Sequence, residues 1–391
     1  MRTQVGIIGA GPAGLLLSHL LHLRGIDSVV LEARSRDYVE RRVRAGVLEH
    51  PTAELLREVG LGARMDLEGM VHHGISLRFD GADHRIGFDE LLGRSITVYG
   101  QQEVVKDLIA ARLEAGGELL FEVSEVAVHG LTSDRPAITF TDAEGRPREL
   151  ACAVIAGCDG FHGVSRQAIP ETALTVHEHE YPFAWLGILA EAPPVREELI
   201  YTHHERGFAL YSMRSPELTR LYLQVDPDEE IESWPDDRIW TELHARLALG
   251  GESGLHEGPL REKGISTMRS FVASPLRYGR LFLAGDAAHI VPPTGAKGMN
   301  LAVGDVHLLA RALERLLLHN ESDLVESYSD TALRRVWRAE HFSWFMTSML
   351  HRFPGNDPFQ RQLQLAQLRY TAESTAAATS LAENYVGLPF S

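Results

Sequence analysis

A glycine-rich turn at residues 9–14, with the sequence GAGPAG, constrains the fold of this chain more than any other feature. An apolar run leads into the turn, an amphipathic stretch over residues 15–24 follows it, and a second apolar run ends in Glu32. The short apolar runs predict strands and the amphipathic stretch predicts a helix, so we predict a βαβ unit. Such a unit is typical of proteins that bind a dinucleotide.

Each glycine of the turn has a physical role in such a unit. Gly9 allows the tight turn, Gly11 lets a pyrophosphate approach the backbone, and Gly14 lets the helix pack closely on the sheet. The helix N-terminus offers N–H groups and a positive dipole end to the phosphates. Glu32 follows at roughly the 20-residue distance at which an acidic residue accepts a ribose hydroxyl. A glycine turn alone would be weak evidence for a dinucleotide site. Here the preceding strand, the helix, the second strand and the terminal acid all agree with one.

Composition narrows the class of protein and its partners. The chain has 391 residues, 44% of them hydrophobic, and a net charge of −16 at pH 7. This acidity disfavours nucleic acid and anionic membranes as partners. Two cysteines give no disulfide framework, no Cys/His spacing suggests a metal, and no apolar run is long enough to span a bilayer. Because the sequence enters its first strand without a signal peptide, we predict a cytoplasmic protein.

Arginines concentrate between positions 34 and 44, directly after the βαβ unit. A solvated loop would explain them, but their position after a dinucleotide fold favours phosphate contacts from Arg42 and Arg44. Further along, His72 and His73 are adjacent, so on a strand they would point to opposite sides and form no metal pair. We expect structural histidines there unless one of them serves a proton path.

Two more turns follow apolar runs, at Cys158-Asp159-Gly160 and at Gly285-Asp286. A plain strand-to-helix turn would explain each, but their glycines also suit close approach to an anionic cofactor. An aspartate after a strand can accept a ribose or ribityl hydroxyl. The Gly/Pro-rich loop at residues 290–300 can offer N–H groups to a flavin ring before a long helix.

Residues 181–268 are rich in aromatics and alternate in polarity, which predicts strands. On one of these strands Leu210, Ser212 and Arg214 share a face by the period of two. On the next strand Arg220 and Tyr222 do the same. Apolar, hydroxyl and cationic groups on one face would floor a pocket for an aromatic carboxylate, although a half-exposed sheet with a polar edge explains them equally well.

Together and in this order, these motifs resemble the class A FAD-dependent aromatic hydroxylases, and the resemblance covers almost the whole chain. Its most specific pieces are residues 42–49, 157–163, 285–298 and 382–389. Within the family, the substrate side resembles the members that act on 4-hydroxybenzoate through Tyr201, Ser212, Arg214, Arg220 and Tyr222.

The resemblance implies a flavin monooxygenase that converts 4-hydroxybenzoate to 3,4-dihydroxybenzoate. NAD(P)H would reduce FAD, O₂ would add at C4a to give a hydroperoxyflavin, and the terminal oxygen would pass to the ring carbon next to the phenolate. The resemblance also implies a homodimer, in agreement with the clustered aromatic residues of the C-terminal region.

The resemblance assigns roles to residues of this chain. Arg214 would grip the substrate carboxylate with help from Ser212 and Tyr222. Tyr201 would take the phenolic proton and pass it through Tyr385 toward His72. Pro293 belongs to the loop that would shape the site and exclude water.

The cofactor contacts implied by the resemblance come from many parts of the chain. Those for FAD are Gly9, Gly11, Gly14, Glu32, Arg42, Arg44, Val47, Gln102, Asp159, Asp286, Asn300 and Leu301. Arg220 would set the balance between two positions of the flavin. His162, Arg166 and Arg269 resemble contacts to the pyridine nucleotide.

One departure from the family concerns the nicotinamide cosubstrate. NADPH-dependent members carry Arg then Gln after the glutamate, whereas this chain has Ala33-Arg34 and then Ser35-Arg36. Either Arg34 or Arg36 provides the contact to the 2′-phosphate instead, or the enzyme accepts NADH as well as NADPH.

The alternatives to the predicted function are a sister hydroxylase of 3-hydroxybenzoate or 3,4-dihydroxybenzoate, a non-enzymatic FAD-binding redox sensor, and a dehydrogenase that uses a nicotinamide cofactor alone.

We therefore predict a mixed α/β fold in three parts. Residues 1–180, joined by 269–300, would form a Rossmann-like FAD-binding domain. Residues 181–268 would form an inserted β-sheet domain that binds the substrate. Residues 301–391 would form a helical region that mediates dimerisation.

Overall fold

The computed structural model describes residues 1–42 and 46–390. Its strands are β1 (Val5–Ile8), β2 (Ser28–Leu31), β3 (Val47–Leu48), β4 (Met70–His72), β5 (Gly74–Phe79), β6 (Ala82–Gly87), β7 (Ile96–Val98), β8 (Glu118–Leu120), β9 (Ser124–His129), β10 (Ala137–Thr141), β11 (Pro147–Ala151), β12 (Val154–Gly157), β13 (Thr175–Ala190), β14 (Leu199–Thr202), β15 (Ala209–Ser215), β16 (Leu218–Val225), β17 (Leu260–Ser274), β18 (Arg277–Tyr278), β19 (Leu281–Leu283) and β20 (His289–Ile290).

Its helices are α1 (Pro12–Leu23), α2 (Arg36–Arg41), α3 (His50–Glu58), α4 (Gly62–Glu68), α5 (Phe88–Leu92), α6 (Gln101–Glu114), α7 (Val164–Gln167), α8 (Asp236–Arg246), α9 (Gly298–His319), α10 (Asp323–Glu326), α11 (Tyr328–Leu350), α12 (Pro358–Glu373) and α13 (Thr375–Val386). None of these described helices is long and apolar enough to cross a membrane.

The first sheet is built on the predicted βαβ unit. Its strand order is β18-β19-β12-β1-β2-β8, and the strands from β19 to β8 run parallel. Every residue of β1 and β2 is buried, as expected for parallel strands covered on both faces. Parallel strands bring their carboxyl ends to one edge, so the turns that follow β1, β2, β12 and β19 come together there.

The second sheet has eight strands in the order β20-β17-β13-β16-β15-β14-β5-β6. The register pairs Leu210 with Tyr201 on one side and with Tyr222 on the other, and it pairs Ser212 with Arg220. The register therefore agrees with the predicted face for Leu210 and Ser212 and for Arg220 and Tyr222, whereas Arg214 falls at a register shift. Two strands of this sheet, β5 and β6, come from before residue 180, and the division of the chain into three domains stays a prediction.

The C-terminal helices cover the Tyr201 face of this sheet. One apolar cluster joins Tyr201 and Leu210 of the sheet to Phe342 on α11 and Tyr385 on α13. The mixed α/β fold and the helical C-terminal region are as predicted.

One local prediction is wrong. The alternating polarity of residues 75–99 predicts strands in this stretch, but residues Phe88–Leu92 form helix α5 between Gly87 and Gly93. The helical turn buries Phe88 against the ring of Tyr385 at 5.3 Å. It also leaves the acidic residues of its first turn, Asp89 and Glu90, near the positive end of the helix dipole.

Candidate functional site

The turn after β1 packs directly against the turn after β12. Gly9 has a φ of +104°, and a Cβ there would lie 2.3 Å from the carbonyl oxygen of Cys158, so only glycine fits. Gly14 is equally constrained, because its Cβ would lie 2.0 Å from the Gly9 carbonyl oxygen. These two glycines let the helix, the turn and the neighbouring strand pack closely.

Gly11 faces space instead of protein. A Cβ on Gly11 would have no atom of the described residues within 4 Å. Gly11 is also the N-cap of α1 and provides no side-chain cap for the N–H groups of the first turn. Space and N–H donors at a helix N-terminus suit the pyrophosphate of a dinucleotide.

Glu32 and Asp159 flank this turn with their carboxylates. The Glu32 oxygens accept hydrogen bonds from Ala10 N and Arg34 N, each at 2.8 Å, which fixes the side chain beside the turn. Asp159 Oδ2 accepts from Ser165 N at 2.9 Å. A Cβ on Gly163 would lie 2.1 Å from the Asp159 Cγ, so a glycine there makes room for this carboxylate.

Among the buried acceptors near this edge, two that belong to predicted FAD residues have no partner in the part of the chain that the structure describes. They are Asp159 Oδ1 and Gln102 Oε1. Burial raises the pKa of Asp159, although hydrogen bonds from Ser165 oppose the shift. Buried polar atoms without partners are costly, so a ligand with hydroxyl or amide donors would satisfy them. The open space at Gly11 and these acceptors fit the FAD that the resemblance implies.

The loop before α9 is tied to β3 by one side chain. Asn300 accepts from Glu49 N at 2.9 Å and donates to Val47 O at 2.9 Å and to Ala296 O at 3.0 Å. Leu301 is buried beside it in the first turn of α9. The nearby Pro293 is exposed in a 3-10 turn, which Thr294 anchors to Thr347 of α11 through their hydroxyls at 2.9 Å.

Two buried ion pairs at this edge were not predicted from the sequence. Lys297 Nζ donates to Glu49 Oε1 at 2.6 Å and to the main-chain carbonyl of Asn384. Burial lowers the pKa of Lys297 even though the Glu49 carboxylate opposes the shift. The second pair joins His289 to Asp305, whose Oδ2 also accepts from Gly285 N at 2.9 Å. A lone aspartate in the apolar run of α9 was the available signal, because buried acids require a partner.

The candidate substrate face carries an unsatisfied cation. Arg214 lies in a bulge of β15, where the register shifts between Met213 and Ser215. Its Nε is buried and has no hydrogen-bond partner within the described residues. Burial lowers the pKa of Arg214, although Tyr222 beside it opposes the shift. A buried guanidinium in this state is a strong anion-binding group.

Tyr222 and Ser212 stand on the same face. Burial raises the pKa of the Tyr222 hydroxyl, but the charges of Arg220 and Arg214 outweigh it, so the net pKa lies below its usual value. Arg220 Nε donates to Tyr222 Oη at 3.3 Å, and Ser212 Oγ donates to Arg220 O at 3.1 Å. The face therefore presents hydroxyl groups next to the guanidinium of Arg214, whose Nε has no partner among the described residues.

The predicted proton path is partly assembled in the structure. Tyr201 and Tyr385 are both buried and their hydroxyl oxygens lie 2.6 Å apart. Burial and the neighbouring hydroxyl keep the pKa of Tyr201 well above its usual value. His72 is 1% exposed, and neither of its ring nitrogens has a hydrogen-bond partner among residues 1–42 and 46–390. No hydrogen bond therefore joins His72 to the tyrosine pair within these residues.

The predicted pyridine-nucleotide residues gather around Phe161. Arg166 and Arg269 lie over its ring, at 4.9 Å and 5.1 Å, and the ring of His162 meets it edge to face at 5.0 Å. Arg166 is held by the carbonyls of Phe161 and Ala287, at 2.6 Å and 2.9 Å. The structure brings these residues together on one surface.

Two further predicted cofactor residues lie at the surface. Arg42 is exposed and lies over the ring of Tyr38 at 5.8 Å. Asp286 is exposed in the turn after β19. Arg44 lies outside the described residues.

Comparison with known proteins identifies relatives across the whole chain. The model of a family described as an FAD binding domain matches residues 2–343. A p-hydroxybenzoate hydroxylase from Acinetobacter baylyi is 47% identical over 391 residues, which is 100% of this chain and 96% of that protein. A 12-dehydrotetracycline 5-monooxygenase/anhydrotetracycline 6-monooxygenase from Streptomyces rimosus is 30% identical over 78% of this chain and 61% of its own length.

Solved structures share the fold. The p-nitrophenol 4-monooxygenase of Pseudomonas putida matches with a TM-score of 0.83 at 20% identity, over 99% of both chains. A complex of aklavinone-11 hydroxylase with FAD and aklavinone matches with a TM-score of 0.75 at 22% identity, over 89% of this chain and 69% of that one. At this level of identity the likeness concerns the fold alone.

Proposed function

The chain belongs to the class A FAD-dependent aromatic hydroxylases, and on that premise we propose how its own residues hydroxylate 4-hydroxybenzoate to 3,4-dihydroxybenzoate. The family, the FAD cofactor and the use of O₂ on an aromatic substrate were predicted from the sequence and are confirmed. The observation that carries the proposal is Arg214, whose buried Nε has no hydrogen-bond partner among the described residues. Arg214 contacts Tyr222, which pairs with Leu210 on the sheet face that also holds Tyr201.

Arg214 binds the substrate carboxylate in this proposal. A guanidinium pairs with a carboxylate through two parallel hydrogen bonds, which neutralise the charge and fix the direction of the ring. Tyr222 and Ser212 stand beside Arg214 and add hydroxyl donors to the same carboxylate. The substrate hydroxyl at the opposite end of the ring then points away from Arg214 toward Tyr201.

Tyr201 and Tyr385 move the phenolic proton. Because burial keeps both hydroxyls neutral, the pair passes a proton along without placing a fixed charge in an apolar site. Removing the proton makes the substrate a phenolate, which is the better nucleophile at the ring carbon next to the oxygen. His72 receives the proton through a bridging water and releases it to solvent.

The remaining residues hold the cofactor and exclude water. The FAD contacts that we propose are Gly9, Gly11, Gly14, Glu32, Arg42, Arg44, Val47, Gln102, Asp159, Arg220, Asp286, Asn300 and Leu301. When bound, FAD supplies the redox chemistry that activates O₂ and provides one oxygen atom. The turn at Pro293–Gly295, anchored by Thr294, keeps bulk water away from the reacting groups.

NADPH is the cosubstrate in this proposal, and NADH is accepted as well. Arg36 is held by Glu40 at 2.6 Å, so Arg34 is the better candidate to contact a 2′-phosphate. Arg34 lies over the ring of Tyr38 at 5.3 Å. A single exposed cation discriminates weakly between the two nucleotides. We propose that His162, Arg166 and Arg269, which gather at Phe161, contact the rest of the nucleotide.

The test of the function is the oxidation of NADPH and NADH by the FAD-loaded protein with and without 4-hydroxybenzoate. We expect 4-hydroxybenzoate to stimulate oxidation and 3,4-dihydroxybenzoate to form in equal amount, as measured by chromatography. Stimulation without hydroxylated product would make 4-hydroxybenzoate an effector only. Faster coupled turnover of 3-hydroxybenzoate or 3,4-dihydroxybenzoate would favour a sister hydroxylase.

Gly11→Val tests the cofactor site separately from folding. Because no described protein atom lies near a Cβ at this position, the FAD-free variant should melt within a few degrees of the wild type. Its FAD affinity should fall at least tenfold, about 1.4 kcal/mol, because the side chain would fill the space proposed for the pyrophosphate. Titration of FAD fluorescence measures the affinity.

Gly14→Val is the matched control, because its Cβ would overlap the Gly9 carbonyl oxygen and should destabilise the FAD-free protein itself. Unchanged FAD affinity in Gly11→Val would show that the pyrophosphate does not pass over this turn.

We also propose that the protein is a cytoplasmic homodimer. Helix α12 exposes three large side chains at helical spacing on one stripe: Phe359 at 69%, Leu363 at 56% and Tyr370 at 57%. Exposed apolar stripes of this kind mark interfaces, and a second copy of the chain is the partner that we propose. Cys152 and Cys158 are buried free thiols, which is typical of a reducing compartment.

Leu363→Glu should convert the dimer to a monomer at micromolar concentration, because a carboxylate in the centre of the stripe would be buried without a partner. Light scattering during size-exclusion chromatography measures the mass. Gln362→Glu, an exposed position outside the stripe, is the control and should leave the dimer intact. A Leu363→Glu variant with the mass of the wild-type dimer would remove α12 from the interface.

A further inference from the structure

His72 directly precedes a residue that lines a cavity on the surface. It is the last residue of β4, it is buried, and neither ring nitrogen has a partner within the described residues. The next residue, His73, lines a cavity of about 680 Å³ that is open to solvent. The chain therefore passes from the interior to this cavity within two residues.

Arg85 lines this cavity and binds two carboxylates. Arg85 donates to both carboxylate oxygens of Glu198, at 2.8 Å and 2.9 Å, and to Glu90 at 2.7 Å. Gly74 of β5 pairs with Gly87 of β6, and together they leave the space that the Arg85 side chain occupies. A Cβ on Gly74 would lie 3.1 Å from Arg85 Nη2, and one on Gly87 would lie 2.9 Å from Nη1.

The register of β14 brings Glu198 next to the end of β4. Leu199 pairs with Ile75 in parallel register, so Glu198 lies opposite Gly74. Gly74 is two residues after His72 in the chain. Burial lowers the pKa of His72 to about 4, while the Glu198 carboxylate opposes this shift and His73 adds to it. His73 itself faces Asp89 at 3.6 Å. Glu198 is thus the charged neighbour that favours a proton on His72.

We propose that Glu198, oriented by Arg85, is a positioning residue for the last step of the proton path. Its charge stabilises the transient imidazolium of His72 and directs the proton to water in the cavity. This inference rests on the proposed function, because it assumes that the proton travels from Tyr201 through Tyr385 to His72.

The step balances without any further reactant. The O–H bond of the bound phenol breaks, each tyrosine hydroxyl gains one proton and gives up another, and an N–H bond forms on His72. That N–H bond then breaks as the proton passes to water. The net change is phenol and water to phenolate and hydronium, and no electron is transferred.

The test is the rate of proton release when 4-hydroxybenzoate binds the FAD-loaded enzyme. Stopped-flow absorbance of a pH indicator reports the release, and the ultraviolet spectrum of the bound substrate reports its ionisation. Glu198→Gln should slow proton release about tenfold, or about 1.4 kcal/mol, because His72 would lose the neighbouring charge that favours its protonated form. The dissociation constant of the substrate should change less than twofold.

Two matched variants separate a charge effect from damage to the fold. Glu197→Gln removes an identical charge from an exposed neighbour that lines the same cavity, and it should leave the release rate unchanged. Glu198→Asp keeps the charge and should restore most of the rate. A Glu198→Gln variant as fast as the wild type would overturn the inference, and so would an equal slowing by Glu197→Gln.

Tyr385→Phe distinguishes this inference from the proposal on which it rests. If Tyr385→Phe slows proton release and Glu198→Gln does not, the relay stands and the role of Glu198 is overturned. If both variants release the proton as fast as the wild type, the relay itself is wrong and the inference falls with it.

Discussion

Replacement of Arg214 by alanine is expected to weaken the binding of 4-hydroxybenzoate by about 2–5 kcal/mol, which corresponds to roughly 30-fold to several thousand-fold in the dissociation constant. The loss is large because the substrate carboxylate would remain buried without its charged partner. The Arg214 Nε is buried and has no partner within residues 1–42 and 46–390, so the free enzyme already holds the cation ready for an anion. Flavin absorbance or fluorescence during substrate titration measures the dissociation constant.

The controls for Arg214 vary the ligand and the cation separately. Phenol lacks the carboxylate, so its weak binding should respond little to Arg214→Ala. Arg214→Lys keeps the charge but not the planar pair of donors, so its effect on 4-hydroxybenzoate should fall between those of wild type and alanine. An unchanged dissociation constant for 4-hydroxybenzoate, or an equal loss for phenol, would contradict the assignment of Arg214.

Tyr201→Phe is expected to lower the rate of hydroxylation by about 10²–10⁴-fold while the protein still folds and still binds the substrate. The variant lacks the hydroxyl that lies 2.6 Å from Tyr385, so the substrate would react as the less nucleophilic phenol. NADPH oxidation should continue, with hydrogen peroxide in place of 3,4-dihydroxybenzoate. The ratio of product to NADPH consumed is the measurement.

Tyr211→Phe is the matched control for Tyr201→Phe. Tyr211 is a buried tyrosine on the opposite face of the same sheet, and its hydroxyl accepts hydrogen bonds from the main chain at Val195 and Arg196. Loss of the Tyr211 hydroxyl should lower the free energy of unfolding. It should not change the ratio of hydroxylated product to NADPH consumed. A Tyr201→Phe variant that converted all its NADPH into hydroxylated product would show that the proton leaves by another route.

The parts of the fold that could be predicted are those in which a local pattern determines the structure. The βαβ unit was predicted because strand, turn, helix and acid all lie within residues 4–32. The faces shared by Leu210 with Ser212 and by Arg220 with Tyr222 were predicted because side chains alternate along a strand, and the register agrees with both. Resemblance to a family extended this to residues far apart in the chain, such as Tyr201 and Tyr385.

The contacts that could not be predicted join segments distant in sequence by pairing of charges. Lys297 meets Glu49, and Arg85 meets Glu198, yet neither partner carries a local pattern that points to the other. The parallel pairing of β14 with β5 also joins segments that are distant in sequence. It places a strand from before residue 180 in the substrate sheet. Helix α5 was missed because the burial of Phe88 against Tyr385 is a tertiary contact that outweighs alternation over five residues.

The measurement that tests the central claim most directly is turnover of 4-hydroxybenzoate under ¹⁸O₂, followed by mass spectrometry of the product. A monooxygenase transfers one oxygen atom from O₂ to the ring. The account therefore predicts 3,4-dihydroxybenzoate with a single ¹⁸O at the new hydroxyl, formed in equal amount to the NADPH consumed. Unlabelled 3,4-dihydroxybenzoate, or NADPH oxidation with no hydroxylated product, would contradict the account.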